Sequence, residues 1–185
     1  MRNTLRRIAF GMLGTGMVVT MALGASTAGA SAAVSAPRAV AVAAHPHFLK
    51  WPIVRRGDHG ARVGKIQLLL NQHGIPVKVD AYYGRATVLA VKFFQKKNHI
   101  YPTGVVGAKT WEKLIVTVWK GWRGPAVTAV QFELHYIYGY KFVTVDGAFG
   151  QKTEWAVTLF QKRYHLRPDG IVGPATWNAL VVHEK

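Results

Sequence analysis

Cysteine is absent from all 185 residues. This excludes disulfide staples, thiolate metal sites and a cysteine nucleophile. Acid is scarce as well. Eight Asp and Glu stand against 24 Lys and Arg, for a formal charge of +16. Such an excess attracts polyanions: nucleic acid, an anionic membrane surface or an acidic wall polymer. No G-x-S-x-G elbow is present, which removes that type of serine hydrolase. Long hydrophobic runs are missing too. The uncharged run from Ile8 to Leu23 is rich in Gly and Ala and is weakly apolar for a span of about 20 residues.

What precedes and follows that run gives it a meaning. Arg2, Arg6 and Arg7 form a positive start, and Ala28-Gly29-Ala30 and Ala30-Ser31-Ala32 offer small-residue cleavage patterns. This is the three-part layout of a secretory signal peptide, here residues 1–32. The Arg6-Arg7 pair leaves the export route open between the general and twin-arginine pathways. Cleavage leaves 21 basic residues against 8 acidic ones, a charge near +13. An exported chain meets a cell surface rather than a genome. The expected partner is therefore not nucleic acid, and not a membrane after cleavage. Residues 33–50, mostly Ala, Val and Pro around His45-Pro46-His47, read as a flexible tether. Two histidines are too few for a metal site, which takes three or four ligands.

The remainder repeats itself. Gly57, Val63, Ile66, Gln67 and Leu70 align with Gly121, Val127, Val130, Gln131 and Leu134 at an offset of 64. Two residues are inserted near Lys141 to Thr144. From Asp80 against Asp146 the offset is 66, and it holds to Val116 against Val182. Identical pairs include Phe94/Phe160, Gln95/Gln161, His99/His165 and Trp111/Trp177. A duplicated supersecondary unit is the primary fact of the chain, with one unit over 51–116 and the other over 117–185.

The predicted fold class is mainly α: two tandem three-helix bundles. The first helix of each unit spans Ala61 to His73 and Pro125 to Tyr138. Its Val63, Ile66 and Leu70 share one face at i, i+3 and i+7. The second spans Arg85 to Lys97 and Gln151 to Arg163, burying Ala90, Val91 and Phe94. The third spans Ala108 to Val116 and Pro174 to Val182. Gly74 suits a left-handed cap, and Pro125 and Pro174 suit first helical turns. A unit of about 60 residues buries roughly 60% of its unfolded surface and is marginal alone. Only Thr117 separates Val116 from Val118, so the two bundles are expected to pack together.

The motifs G-x-x-V-x-x-I-Q-x-x-L-N (Gly60 to Asn71), D-G-x-F-G-x-x-T-x-x-A-V-x-x-F-Q (Asp146 to Gln161) and D-G-x-V-G-x-x-T-W-x-x-L (Asp169 to Leu180) carry a resemblance. They resemble the peptidoglycan-binding-like domain, the first peptidoglycan-binding family, over both units. The resemblance implies a compact three-helix fold and a wall-binding role. Unit 1 departs from the pattern at Ala81 and Thr103, where Gly and Asp are usual. Unit 2 departs at Tyr136, and equal affinity of the two units is not implied. In that family a hydrolytic domain is a separate segment, and no stretch here is left to encode one.

The titratable residues point the same way. A glycosidase needs two carboxylates across a sugar. Asp80, Asp146 and Asp169 belong to turns, and Glu112 and Glu154 to helix surfaces. His99 and His165 follow helix ends, where a cation suits the dipole better than it suits a metal. The expectation is no enzyme, no cofactor and no metal.

Candidate ligand contacts are of three kinds. Tyr83 and Phe149 are core lids or groove walls. Gln95 and Gln161 are either buried amides holding a loop or ligand contacts. Trp122, Tyr138 and Trp155 lack aromatic counterparts in unit 1, so they form an exposed platform or a face that glues the units together. Peptidoglycan offers sugars for aromatics and stem-peptide carboxylates for cations. Basic residues such as Lys96, Lys97, Lys162 and Arg163 add a hold on anionic wall polymers. The function expected is a secreted, wall-associated, non-catalytic peptidoglycan-binding protein. The other reading is an interaction protein that targets or modulates a partner wall hydrolase.

Overall fold

The computed structural model describes residues 50–184; the signal-peptide reading and nearly all of the tether reading lie outside them. Six α-helices are present there: α1 (Ala61–Gln72), α2 (Arg85–Lys97), α3 (Ala108–Leu114), α4 (Pro125–Phe132), α5 (Gln151–Arg163) and α6 (Pro174–Val182). Each repeat contributes three. Helices α2, α5 and α6 occupy the predicted residues, while α3 stops two residues short, at Leu114. The core is the expected stripe set, with Val63, Ile66, Leu70, Phe94, Trp111 and their counterparts Val127, Val130, Leu134, Phe160 and Trp177 all buried. Each third-helix Trp also donates its indole N–H to a backbone carbonyl at or just before the start of its repeat. Trp111 reaches Pro52 O at 2.9 Å, and Trp177 reaches Val116 O at 2.7 Å.

Four clasps of one design hold the turns. In each, a buried glutamine on a helix reaches across to the turn that precedes the next helix. The Gln131 amide nitrogen donates to Asp146 Oδ1 (2.9 Å), Ala148 O (2.9 Å) and Thr153 Oγ1 (3.2 Å). Its oxygen accepts from Asp146 N (3.1 Å) and Gly147 N (2.8 Å). Gln67 repeats this with Asp80, Tyr82 O and Thr87. Gln95 does so with Thr103, Val105 O and Thr110, and Gln161 with Asp169, Ile171 O and Thr176. A buried amide is tolerated because all its polar capacity is used. Four antiparallel bridges, Val54 with Val106, His59 with Tyr82, Val118 with Val172 and Arg123 with Ala148, tie the same turns to the chain before each repeat's helices.

Each clasped turn places one residue in the left-handed region: Ala81 (φ 57°), Gly104 (φ 75°), Gly147 (φ 71°) and Gly170 (φ 72°). Glycine adopts this without a Cβ clash, and alanine does not. Ala81→Gly is therefore expected to stabilise the protein by about 0.5–1 kcal/mol, the relieved clash less the added chain entropy. Urea denaturation measures it, and a lower midpoint contradicts it. His99 (φ 56°) and His165 (φ 54°) are left-handed as well. They close α2 and α5 in Schellman motifs, with Ile100 N to Gln95 O and Leu166 N to Gln161 O both at 2.8 Å. Their recurrence is thus a matter of helix termination.

The two-residue insertion is split. Helix α4 ends at Phe132, and Glu133–Ile137 continues as a π turn. In repeat 1 the closing bond runs from Ile75 N to Leu70 O; in repeat 2 it runs from Tyr140 N to Leu134 O. One extra residue is therefore wound into the helix end, as π turns do. The other lies in the loop through Lys141 and Thr144. The sequence places both in the loop, because a π turn has no composition signature.

The repeats pack through α1 against α4, and they complete one another's helix ends. Gly124, at the N-cap of α4, has no side chain to offer. Gln72 Oε1 from repeat 1 accepts the Ala126 N–H instead, at 3.2 Å. The Arg62 guanidinium donates to Val181 O at 3.2 Å and Lys65 Nζ to Leu180 O at 3.5 Å, both at the C-terminal end of α6, where a cation suits the dipole. Lys65 also lies 3.1 Å from Glu133 and 3.3 Å from Glu184, and Arg62 lies 3.5 Å from Glu184. The Lys65 and Glu133 side chains are each 1% exposed. Burial pushes the Glu133 carboxyl up to about 7, against the pull of Lys65.

Candidate ligand-binding surface

Burial sorts the seven predicted contacts. Tyr83 and Phe149 are enclosed. The Tyr83 hydroxyl donates to Gly104 O at 2.9 Å, tying one clasped turn of repeat 1 to the next. Desolvation raises its pKa, as expected of a phenol with no water around it. Gln95 and Gln161 are the clasp amides. These four side chains hold the fold together, which favours the structural one of the two readings given for each. Tyr138 is half-buried. It meets Phe160 edge-on at 4.8 Å, and its hydroxyl donates to Leu180 O at 3.0 Å. It belongs inside repeat 2 and not on a platform. Trp122 is half-buried and lies edge-on to Trp119 at 5.1 Å.

Trp155 differs from these. It is 58% exposed and leans on Phe142 at 4.8 Å, with Tyr140 6.1 Å further on. Tyr140 and Phe142 stand in the stretch that the insertion lengthens, so the added residues extend an aromatic face. Four positions along α5, Leu159 is half-buried on the same side. Lys162 and Arg163 follow, both exposed.

Sequence reasoning missed the counterpart in repeat 1. The positions equivalent to Trp155 and Leu159 are Leu89 and Phe93, 57% and 59% exposed on the outer face of α2, followed by exposed Lys96 and Lys97. Two large apolar side chains at i and i+4 in water do nothing for the core. Both repeats thus show an outer apolar pair beside a basic pair, with Leu159 less exposed than Phe93. The signal was present as a second apolar stripe on an already amphipathic helix, hidden from a comparison of aromatics alone because a Leu stands opposite a Trp.

The electrostatics of the turns are local. The Asp80 carboxyl is held below its usual range, first by the Gln67 side-chain hydrogen bond and then by the Tyr82 N–H. Asp146 is lowered chiefly by the Ala148 N–H, then by Gln131. Both are committed acceptors rather than acid–base groups. Among the described residues no three His, Asp or Glu side chains gather to hold a metal ion.

Two small helical bundles joined without a linker, clasped at every turn and each showing an apolar and basic outer face, define a tandem binding module. The chain belongs to the family described as "Putative peptidoglycan binding domain", which matches residues 59–114 and 123–180. A Bacillus licheniformis protein named a probable N-acetylmuramoyl-L-alanine amidase is 34% identical over 67% of this chain and 43% of its own length. An N-acetylmuramoyl-L-alanine amidase of Mycobacterium tuberculosis is 30% identical over 69% of this chain and 37% of its own. Among solved structures, the N-terminal domain of SleB is 36% identical, covering 38% of this chain and 94% of that one, with a TM-score of 0.36. The chain spans less than half the length of either amidase.

Proposed function

We propose that this chain is an exported, non-catalytic protein that binds peptidoglycan through both repeats. The observation that carries the reading is the double family match on two bundles that present the same outer face. Trp155, with Phe142 beside it, offers flat apolar area to a sugar ring. Lys96, Lys97, Lys162 and Arg163 offer charge to wall carboxylates and to anionic polymers. Trp122 adds a smaller aromatic edge.

Pelleting with purified peptidoglycan stripped of anionic polymers tests the reading. The protein is expected in the pellet at about 0.15 M salt, where surface attraction alone is screened beyond roughly 8 Å. Protein left in the supernatant overturns it. Trp155→Ala is expected to weaken retention about five- to tenfold, the effect of losing one aromatic anchor, with the melting temperature unchanged because the side chain lies outside the core.

A second reading draws on the names of the relatives. Several are amidases, and this chain matches only part of each. That favours a module which positions such an enzyme on the wall. A complex with a wall hydrolase recovered from secreted extracts, with weak retention on bare peptidoglycan, distinguishes it from the first.

A further inference from the structure

Repeat 1 carries an open pocket of about 530 Å³ that the outer-face binding surface does not include. It lies over the start of α3. Ile53 and Tyr101 stand at it with 65% and 83% of their surfaces in water; Gln95, His99, Thr103 and Lys109 line it as well. We propose that this pocket holds the free carboxylate end of a short peptide. The proposal rests on the wall-binding reading and deepens it, since stem peptides end in such a carboxylate.

The ligand class follows from what the pocket can offer. Its size falls within the roughly 300–1,000 Å³ of ligand sites. Its walls are mostly apolar. The Gln95 amide is occupied within the chain, donating to Thr103, Val105 O and Thr110 and accepting from Gly104 N. Thr103 Oγ1 is engaged with Val105. A sugar, which needs several hydrogen-bond partners, finds few here. No carboxylate lines the pocket, and Lys109 supplies a cation. A small apolar side chain between Ile53 and Tyr101, with a carboxylate at Lys109, uses what is present. A polyphosphate chain would call for a row of cations.

Repeat 2 shows that the fold does not require this arrangement. At the equivalent positions it has Thr117, Arg167, Asp169 and Ala175 in place of Ile53, Tyr101, Thr103 and Lys109. The Asp169 carboxylate accepts from Gln161 and from Ile171 N, both at 2.9 Å. A negative charge therefore stands where repeat 1 has a neutral hydroxyl, and the lysine is gone. The site belongs to repeat 1 alone.

The same comparison supplies variants that preserve the clasp. The full chain is titrated, by amide NMR, with a synthetic stem pentapeptide ending in D-alanyl-D-alanine, and separately with its C-terminal amide. The free acid is expected to shift Tyr101, Thr103 and Lys109 saturably, and the amide to bind at least about tenfold more weakly. Thr103→Asp, which installs the residue repeat 2 uses, is expected to abolish binding with the melting temperature kept or raised. Lys109→Ala is expected to weaken binding about tenfold. Equal binding of acid and amide, shifts confined to other residues, no binding of the acid, or undiminished binding by Thr103→Asp each overturns the proposal. Retention on intact wall with no response to the peptide sinks the pocket and leaves the wall reading standing. Peptide binding without wall retention does the reverse.

Discussion

Phe160→Ala is expected to lower the stability of the protein by about 3–5 kcal/mol, the usual loss for a buried Phe. Phe160 is fully enclosed. Its ring meets Tyr138 at 4.8 Å and Tyr164 at 4.5 Å, and Tyr138 in turn bonds the end of α6. The cavity therefore opens at the junction of three elements that cannot close around it together. Repeat 1 cations and Gln72 complete helix ends in repeat 2, so both repeats are expected to unfold in one transition. Urea denaturation followed by tryptophan fluorescence and by NMR signals of repeat 1 measures both points. A loss below about 1 kcal/mol, typical of a surface site, contradicts the placement of α5.

Glu133→Gln has the second largest expected effect, and it is read as a pH dependence. The folded-state pKa is raised from 4.5 to about 7. The folded protein thus holds a proton that the unfolded chain releases between those values. The associated stability is fully present below about pH 4.5 and is lost as pH rises through 7. The difference is on the order of 3 kcal/mol. Glutamine keeps the shape without the charge. The variant is expected to match the parent at pH 4.5 and to exceed it by that amount at pH 8. Lys65 keeps Glu184 as a partner at 3.3 Å, so the substitution does not strand a buried cation. Equal pH profiles for the two proteins contradict the assignment.

The sequence made the fold legible because its strongest signal was self-agreement. Apolar positions, turn glycines and helix starts recurred in one frame, and two second helices were placed to the residue. What it concealed was of two kinds. The π turn after Phe132 depends on how a chain winds an extra residue, which no residue type announces. The Lys65–Glu133 pair sits where a helix faces a neighbour from the other repeat. Within its own bundle Lys65 reads as surface, and only repeat 2, through Glu133 and the end of α6, encloses it.

The site was legible in part. Trp155 stands out in the sequence because it lacks an aromatic partner in repeat 1, and the fold leaves it 58% exposed. The same comparison also raised Tyr138, which the fold of repeat 2 uses to pin α6. Recurrence left two readings open for Gln95 and Gln161, and both are buried amides that hold a turn. A polar residue kept in both copies can be a contact or a strut, and only the count of hydrogen bonds around it decides. The pocket over α3 left one trace in the sequence, Thr103 where Asp is usual, while Ile53 and Tyr101 come to it from separate segments that only the fold brings together.

The clasps fix the ends of a loop and are indifferent to what lies between. Gln67 and Asp80 are 13 residues apart, and Gln131 and Asp146 are 15 apart. Yet the donor–acceptor distances are 2.8 and 2.9 Å. A fastener that ignores slack lets the intervening segment lengthen or change its chemistry without disturbing the bundle. The stretch holding Tyr140 and Phe142 is one instance of such freedom. In repeat 1 two exposed residues of the equivalent stretch, Lys78 and Val79, are a ready place to graft a foreign recognition loop.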